Sequence, residues 1–202
     1  MRFLIVALSL VTGQAISQTT LANEQVLQSL AAIDQLQGEF QQTLYDEDGA
    51  ALELSSGEFA LLQPEYFSWH ILAPDEQVLV ASPGSLWHYD VELETATHRS
   101  LDVLSDSSPI AILGAEPERV LEQYRVENAG GDAWRFFPRF DGADYLYLTL
   151  HLDDGKPQIL EIADRLGRNT IILFSALDSE SLLEPADFQF APPAGVDIYQ
   201  AN

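Results

Sequence analysis

The chain has 202 residues, 47% of them hydrophobic, and it carries 32 acidic residues against 9 basic ones, a formal charge of −23 at pH 7. That hydrophobic fraction suffices for one sizeable core, and so acidic a surface repels nucleic acid and anionic lipid headgroups, so we expect no nucleic acid partner. The sequence contains no cysteine, which excludes disulfides, thiol catalysis and thiolate metal sites.

The first 22 residues have the pattern of a secretory signal segment. Arg2 precedes a short apolar run, Phe3 to Val11, and small and polar residues follow. The run is too short to span a bilayer. Cleavage after Ser17 and cleavage after Ala22 both fit, so we predict a signal segment over 1–22 and one exported domain over 23–202. Because bacterial lipoproteins are anchored through an acylated N-terminal cysteine, we expect the exported chain to lack a lipid anchor.

An amphipathic helix is predicted from Glu24 to Leu36, with Asn23 as its N-cap. Glu24, Gln28 and Asp34 lie at other positions, which is typical of a helix with one buried side. The apolar residues at helical spacing are Val26, Leu27, Leu30, Ile33 and Leu36.

After Glu39 the apolar period changes toward two, which indicates strands. Asp46 to Gly49 predicts a hairpin turn. The predicted strands are Gln41–Tyr45, Ala51–Glu53, Phe59–Gln63, Tyr66–Ile71, Gln77–Ala81, Leu86–Asp90, Thr95–Leu101, Ala133–Phe137, Tyr145–Leu152, Gln158–Ile162, Thr170–Phe174 and Phe188–Ala191.

Two short helices are predicted between the seventh and eighth of these strands. One runs from Ile110 to Leu113 and is apolar on all sides, and the other runs from Arg119 to Tyr124. A helix as short as the first has no stability of its own, so it must be inserted into something. Since a sheet of many short strands has to curl, we predict a mainly β (α+β) fold, an incompletely closed antiparallel β-barrel plugged by these helices.

The sequence offers no catalytic constellation. None of the common hydrolase, metalloprotease or nucleotide-binding motifs is present, and the four histidines, His70, His88, His98 and His151, are scattered over strands. His70 and His88 have the parity opposite to the apolar faces of their strands, so we interpret them as surface or half-buried strand residues. We therefore expect no enzyme activity, no cofactor and no metal site.

Several motifs carry a resemblance to a known family. They are Pro64-x-x-Phe67-x-Trp69, Pro74-Asp75-Glu76, Leu79-Val80, Gly84-x-Leu86-Trp87-x-Tyr89 and the closing Phe188-x-Phe190-x-Pro192-Pro193-x-Gly195-Val196. Together they resemble the outer-membrane lipoprotein carrier family, the LolA family, over about residues 24 to 196.

The resemblance implies a curved sheet and a helical lid that enclose a hydrophobic cavity for lipoprotein acyl chains. By analogy, Phe67, Trp69, Leu79 and Trp87 line the sheet side. Leu30, Ile33, Ile110, Ile112 and Leu113 line the lid side. Where the family commonly has an arginine that latches the lid, this chain has Gln63, whose uncharged amide makes a weaker latch.

The function that the resemblance implies is that of a monomeric periplasmic carrier. It would receive lipoproteins from an ATP-driven inner-membrane complex and deliver them to an outer-membrane lipoprotein acceptor. A periplasmic domain on the same scaffold that senses lipids or lipoproteins is the alternative, since a fold does not fix a function. A secreted hydrolase is a third possibility, which turnover dependent on one acid or histidine would favour.

Overall fold

The computed structural model describes residues 24–100, 112–114 and 117–201, which contain two short α-helices, α1 over 24–31 and α2 over Pro117–Gln123. A 3-10 helix spans Pro185–Phe188. The strands are β1 (Gln35–Tyr45), β2 (Ala51–Leu62), β3 (Tyr66–Ala73), β4 (Gln77–Ser82), β5 (Ser85–Asp90), β6 (Thr95–Arg99), β7 (Tyr124–Gly130), β8 (Ala133–Pro138), β9 (Tyr145–Asp153), β10 (Lys156–Asp164), β11 (Asn169–Asp178) and β12 (Asp197–Ala201).

The strands form one sheet in the order β12-β6-β5-β4-β3-β2-β1-β11-β10-β9-β8-β7. Neighbouring strands are antiparallel, except that β12 runs parallel to β6. Within the described residues β12 and β7 do not pair with each other, so the sheet stays open. This confirms the predicted, incompletely closed and mainly β fold.

The main core lies on one face of this sheet, which we call the inner face. Residues paired across strands share a face, so the register places Phe40, Phe174, Phe59 and Trp69 there together. The inner face continues over β8 to β10 with fully buried leucines and a phenylalanine: Phe136, Leu148, Leu150 and Leu160. Helix α1 covers the inner face with Val26 and Leu30, and Ile33 follows directly after it, all three buried.

Gly57 in β2 permits the close packing at the centre of the inner face. A Cβ built on this glycine would lie 1.8 Å from the carbonyl oxygen of His70 and 2.9 Å from the ring of Phe40. The register between β2 and β3 shifts at the same point, between Ser56 and Gly57. Only a residue without a side chain allows the two backbones and the Phe40 ring to come together here.

The opposite, outer face of β3 to β6 is covered by the segment that leads from β11 to β12. Phe188, 1% exposed, packs against Tyr66, and Phe190 packs against Trp87 and Tyr89, each pair with ring centroids 5.6 Å apart. β3 and β5 therefore carry packed aromatic side chains on the outer face as well. After crossing them, the chain adds β12 to the edge of β6.

Several predicted element boundaries were wrong. The helix predicted to end at Leu36 ends at residue 31, because Gln35 and Leu36 pair with β2 instead. The segments Ala51–Glu53 and Phe59–Gln63 are parts of one strand, β2. The predicted strand Phe188–Ala191 is replaced by the 3-10 helix, in which a proline occupies the first turn, and by irregular chain after it.

Two strands were missed and one predicted helix is only partly described. β7 was missed because its exposed residues give no apolar alternation, and all five residues of β12 are exposed. Residue 101, at the end of the predicted strand over Thr95–Leu101, lies outside the described residues. Of the helix predicted from Ile110 to Leu113, residues 110 and 111 also lie outside them, and 112–113 form a short 3-10 turn.

Candidate functional site

Most of the predicted cavity residues meet in one buried cluster on the inner face. Those that share it, all with an exposed fraction of 6% or less, are Leu30, Ile33, Phe67, Trp69, Ile112 and Leu113. Leu79 is partly buried and packs against this cluster from β4. Ile110 lies outside the described residues. Residues of α1, of the sheet and of the 112–114 turn thus form a continuous apolar contact.

Trp69 is the centre of an aromatic group within the cluster. Its ring stacks on Phe40 with centroids 3.6 Å apart, and Phe67, Phe59 and Phe174 surround it at 6.1 to 6.4 Å. Sequence reasoning missed Phe40, Phe59 and Phe174 as site residues. The pairing of consecutive strands β1, β2 and β3 brings Phe40 and Phe59 to Trp69, whereas Phe174 arrives only through the pairing of β11 with β1, which are far apart in sequence.

A pocket of about 340 Å³ opens beside this cluster on the inner face of β3 to β6. The register aligns Trp69, Leu79, His88 and Thr97 in one row across the four strands. The lining residues are Trp69, Ile71, Gln77, Leu79, Leu86, His88, Thr97, Arg99 and Ala201. Its volume is at the lower end of the roughly 300–1,000 Å³ that ligand pockets occupy.

Trp87 lies on the other face of the sheet from the predicted cavity residues. It pairs with Val80 and His98, stacks on the His98 ring at 4.3 Å, and contacts Phe190. His88 is exposed, as its interpretation as a surface residue predicted, but it lies on the same face of β5 as Leu86 and lines the pocket. The parity of β5 was misread because apolar residues occupy both of its faces.

Gln63 forms a direct contact between the sheet and α1. Its side-chain Nε2 donates to the carbonyl oxygen of Leu30 at 3.2 Å, and its backbone N–H donates to the carbonyl oxygen of Asp34 at 2.8 Å. The side-chain bond joins the end of β2 to a residue of α1 whose own side chain is buried.

A second polar contact joins the turn between β2 and β3 to the segment after residue 111, and sequence reasoning missed it. Arg119 Nη1 donates to Glu65 Oε1 at 2.9 Å, and the backbone N–H of Glu65 faces the carbonyl oxygen of Gly114 at 3.4 Å. Both side chains are partly exposed, so the ion pair is weak. We refer to α1, the 112–114 turn and α2 together as the lid.

The titratable groups outside the pocket are dispersed. His70 bonds to Glu76 at 2.9 Å and His151 to Glu161 at 3.0 Å, on different parts of the sheet. In the part of the chain that the structure describes, no three histidine or acidic side chains are grouped so as to hold a metal ion.

A buried pair of tyrosines lies near α2. The hydroxyls of Tyr124 and Tyr145 are 2.6 Å apart, and burial raises the pKa of both. The Tyr124 hydroxyl raises the pKa of Tyr145 further. Both rings therefore stay neutral at physiological pH and act as packing groups with one shared hydrogen bond.

No helix among the described residues combines the length and apolar character of a membrane span.

Comparison with solved structures supports the fold. The chain superposes on an uncharacterized conserved protein from Thermus thermophilus with a TM-score of 0.55 and 14% identity, covering 88% of this chain and 98% of that one. A LolA superfamily protein from Nitrosomonas europaea gives a TM-score of 0.51 at 12% identity, covering 84% and 98%. At these identities the likeness concerns the fold alone.

Sequence comparison identifies the family. Residues 31–191 match the family model described as outer membrane lipoprotein carrier protein LolA. The outer-membrane lipoprotein carrier protein of Alkalilimnicola ehrlichii is 35% identical over 84% of this chain and 79% of its own length. That of Methylococcus capsulatus is 32% identical over 98% and 97%. The chain therefore belongs to the LolA family of outer-membrane lipoprotein carrier proteins.

Proposed function

We propose that this protein is a non-catalytic carrier that binds the acyl chains of lipoproteins on the inner face of its sheet. The observation that carries this proposal is the pocket beside Trp69, whose wall continues into an apolar cluster roofed by a lid. The lid is joined to the sheet by the side-chain bonds of Gln63 and Arg119. Because the lid is held largely by apolar contacts, an acyl chain can replace it on the inner face.

The free energy that lid opening costs is comparable to the free energy that burial of an acyl chain gains. Displacing α1 and the turn after it exposes Val26, Leu30 and Ile33, which costs about 1.5–3 kcal/mol for each side chain, or roughly 5–9 kcal/mol together. An acyl chain of about 16 carbons gains about 12 kcal/mol when its methylenes, each contributing about 0.8 kcal/mol, leave water. Chain burial therefore offsets lid opening. The pocket of about 340 Å³ accommodates only part of such a cargo, so loading requires the lid to move.

The family suggests the compartment and partners of this carrier. The signal segment predicted over 1–22 would export the chain to the periplasm. There it would accept lipoproteins released by an ATP-driven inner-membrane complex and hand them as a monomer to an outer-membrane lipoprotein acceptor. A lipoprotein crosses water only if its acyl chains stay covered, because each chain otherwise resists leaving the bilayer.

The test is the release of lipoproteins from spheroplasts. Spheroplasts incubated with the mature protein should yield lipoproteins in soluble complex with it. Leu79→Glu, which places a charge in the pocket wall, should abolish the complex. Leu54→Glu is the matched control, since Leu54 is 57% exposed on β2, and it should carry lipoproteins normally. The proposal fails if a known carrier releases lipoproteins under the same conditions and this protein does not.

A further inference from the structure

Exposed leucines lie along an open groove on the outer face of the sheet. Leu72 of β3 and Leu173 of β11 line this groove, which has a volume of about 450 Å³, and they are 49% and 44% exposed. β2 and β1 lie between these strands, so β3 and β11 are about 14 Å apart across the sheet. Large apolar side chains that are exposed together, with polar residues around them, are typical of a protein–protein interaction site. We call this groove the outer groove.

A bulge in β3 presents Leu72 to the outer groove. Ser56 of β2 pairs with Ala73, whereas its neighbour Gly57 pairs with Ile71. Leu72 is therefore an extra residue without a partner on β2. A β-bulge redirects a side chain, and bulges occur often next to functional sites. The backbone of β3 thus turns an apolar side chain toward solvent at one end of the groove.

Two glutamates face each other in the middle of the outer groove. Glu39 of β1 and Glu58 of β2 are direct cross-strand partners, and both line the groove. Like charges directly opposite each other on neighbouring strands destabilise a sheet. Neither side chain forms a hydrogen bond or an ion pair with another of the residues that the structure describes. His70, which pairs with Glu58 from β3, bonds through its Nε2 to Glu76 instead.

The lining of the outer groove favours a cation that is carried on an apolar segment. None of its lining residues is basic, and a neighbouring depression of about 280 Å³ shares Glu39 and Glu58 and adds Asp178. A cation placed between two carboxylates relieves their repulsion. A free metal ion does not fit, since no three histidine or acidic side chains among the described residues are grouped to hold one. An anionic lipid surface would be repelled.

We propose that the outer groove docks a partner protein through a segment that presents an arginine or lysine between apolar side chains. The basic side chain lies between Glu39 and Glu58, and its apolar neighbours pack against Leu72 and Leu173. The outer groove lies on the face of the sheet opposite the pocket and the lid. Docking there therefore leaves the lid free to move, and it is independent of the carrier function.

The experiment measures the binding of three labelled peptides by fluorescence anisotropy. In the first peptide arginines alternate with leucines, in the second glutamates replace the arginines, and in the third serines replace the leucines. The wild-type protein should bind the first peptide about tenfold more tightly than either of the others, because two exposed ion pairs or two partly buried leucines contribute on this order. Added salt should weaken this binding, since it screens exposed charges.

Substitutions in the outer groove should weaken the binding of the first peptide. Glu39→Gln and Glu58→Gln should each weaken it about threefold, and the double variant about eightfold, which is the middle of the range for exposed ion pairs. Leu72→Thr should weaken it as well. Glu53→Gln and Leu146→Thr are the matched controls, since both residues are exposed on strands but neither lines the groove, and both variants should bind the peptide normally.

A second measurement separates docking from a structural role of the glutamates. Because Glu39 and Glu58 repel each other in the free protein, Glu58→Gln should raise the urea midpoint of unfolding while it weakens peptide binding. A lower midpoint together with weaker binding would mean that the two glutamates support the fold, and the proposal would be wrong. Equal binding of the three peptides would overturn it, and so would a double variant that binds as tightly as Glu53→Gln.

Two more outcomes would assign a different occupant and also overturn the proposal. If the peptide displaced an apolar fluorescent probe from the inner face, it would bind in the pocket instead. If sedimentation velocity showed a dimer that Glu39→Gln dissociates, the outer groove would bind a second copy of this chain. Failure of the peptide test leaves the carrier function standing, because the spheroplast assay depends on Leu79 and the inner face.

Discussion

We expect the side-chain hydrogen bond between Gln63 and α1 to stabilise the closed lid. Replacing Gln63 with Met keeps a side chain of similar length but removes the donor to the Leu30 carbonyl oxygen, 3.2 Å away. A neutral hydrogen bond contributes about 0.5–1.5 kcal/mol net. If the bond exists only while the lid is closed, its loss should raise the open fraction by about 2- to 12-fold.

The opposite substitution should slow opening. Gln63→Arg places a charged donor at the same site, and hydrogen bonds to charged groups contribute about 1.5–3 kcal/mol. The closed state should therefore gain about 1 kcal/mol, and the open fraction should fall by about fivefold. Stopped-flow release of a preloaded apolar fluorescent probe measures the rates, and hydrogen exchange of the α1 amides reports the opening directly.

Gln41→Met is the matched control for this prediction, because Gln41 is an exposed residue of β1 that pairs with Ser56 of β2. Probe release from Gln41→Met should match that from the wild-type protein. If Gln63→Met released the probe no faster than Gln41→Met, the bond to Leu30 would have no role in holding the lid, and the account of the latch would be wrong.

Three further substitutions test the packing. Gly57→Ala should lower the free energy of unfolding by about 1–3 kcal/mol in urea titrations, because the new Cβ would meet a carbonyl oxygen of β3; unchanged stability would contradict the close approach of β2 and β3 at Gly57. Burial raises the pKa of Tyr124 and Tyr145, so the folded state favours their neutral forms. The contribution of this pair to the free energy of unfolding is complete below about pH 10 and falls as the pH rises toward the folded pKa. Tyr124→Phe should therefore make the loss of stability at alkaline pH less steep, and an unchanged slope would show that the pair ionises freely in the folded protein. Trp87→Leu should lower the melting temperature without changing acyl-probe affinity, whereas a weaker affinity would place Trp87 at the binding face.

The sequence predicted the strands whose two faces differ in polarity. Tyr145 to Leu152 alternates strictly and is observed as β9 with one residue added. β7 and β12 expose most of their residues, so their sequences show no alternation of apolar and polar residues. Only their backbone pairing in the sheet identifies them as strands. The end of α1 was also beyond local reasoning, because Leu36 fits a buried position both in a helix and in β1.

For the site, the period of two predicted strands with an apolar face, and the resemblance of the motifs from Pro64 to Tyr89 to the carrier family implied that this face would belong to a curved sheet under short apolar helices. Only the tertiary structure decided which residues of β5 face the pocket. The returning C-terminal segment covers the outer face with Phe188 and Phe190, so Leu86 on one face and Trp87 on the other are both apolar. Where both faces of a strand carry apolar residues, alternation does not show which face lies inside, and long-range packing decides it.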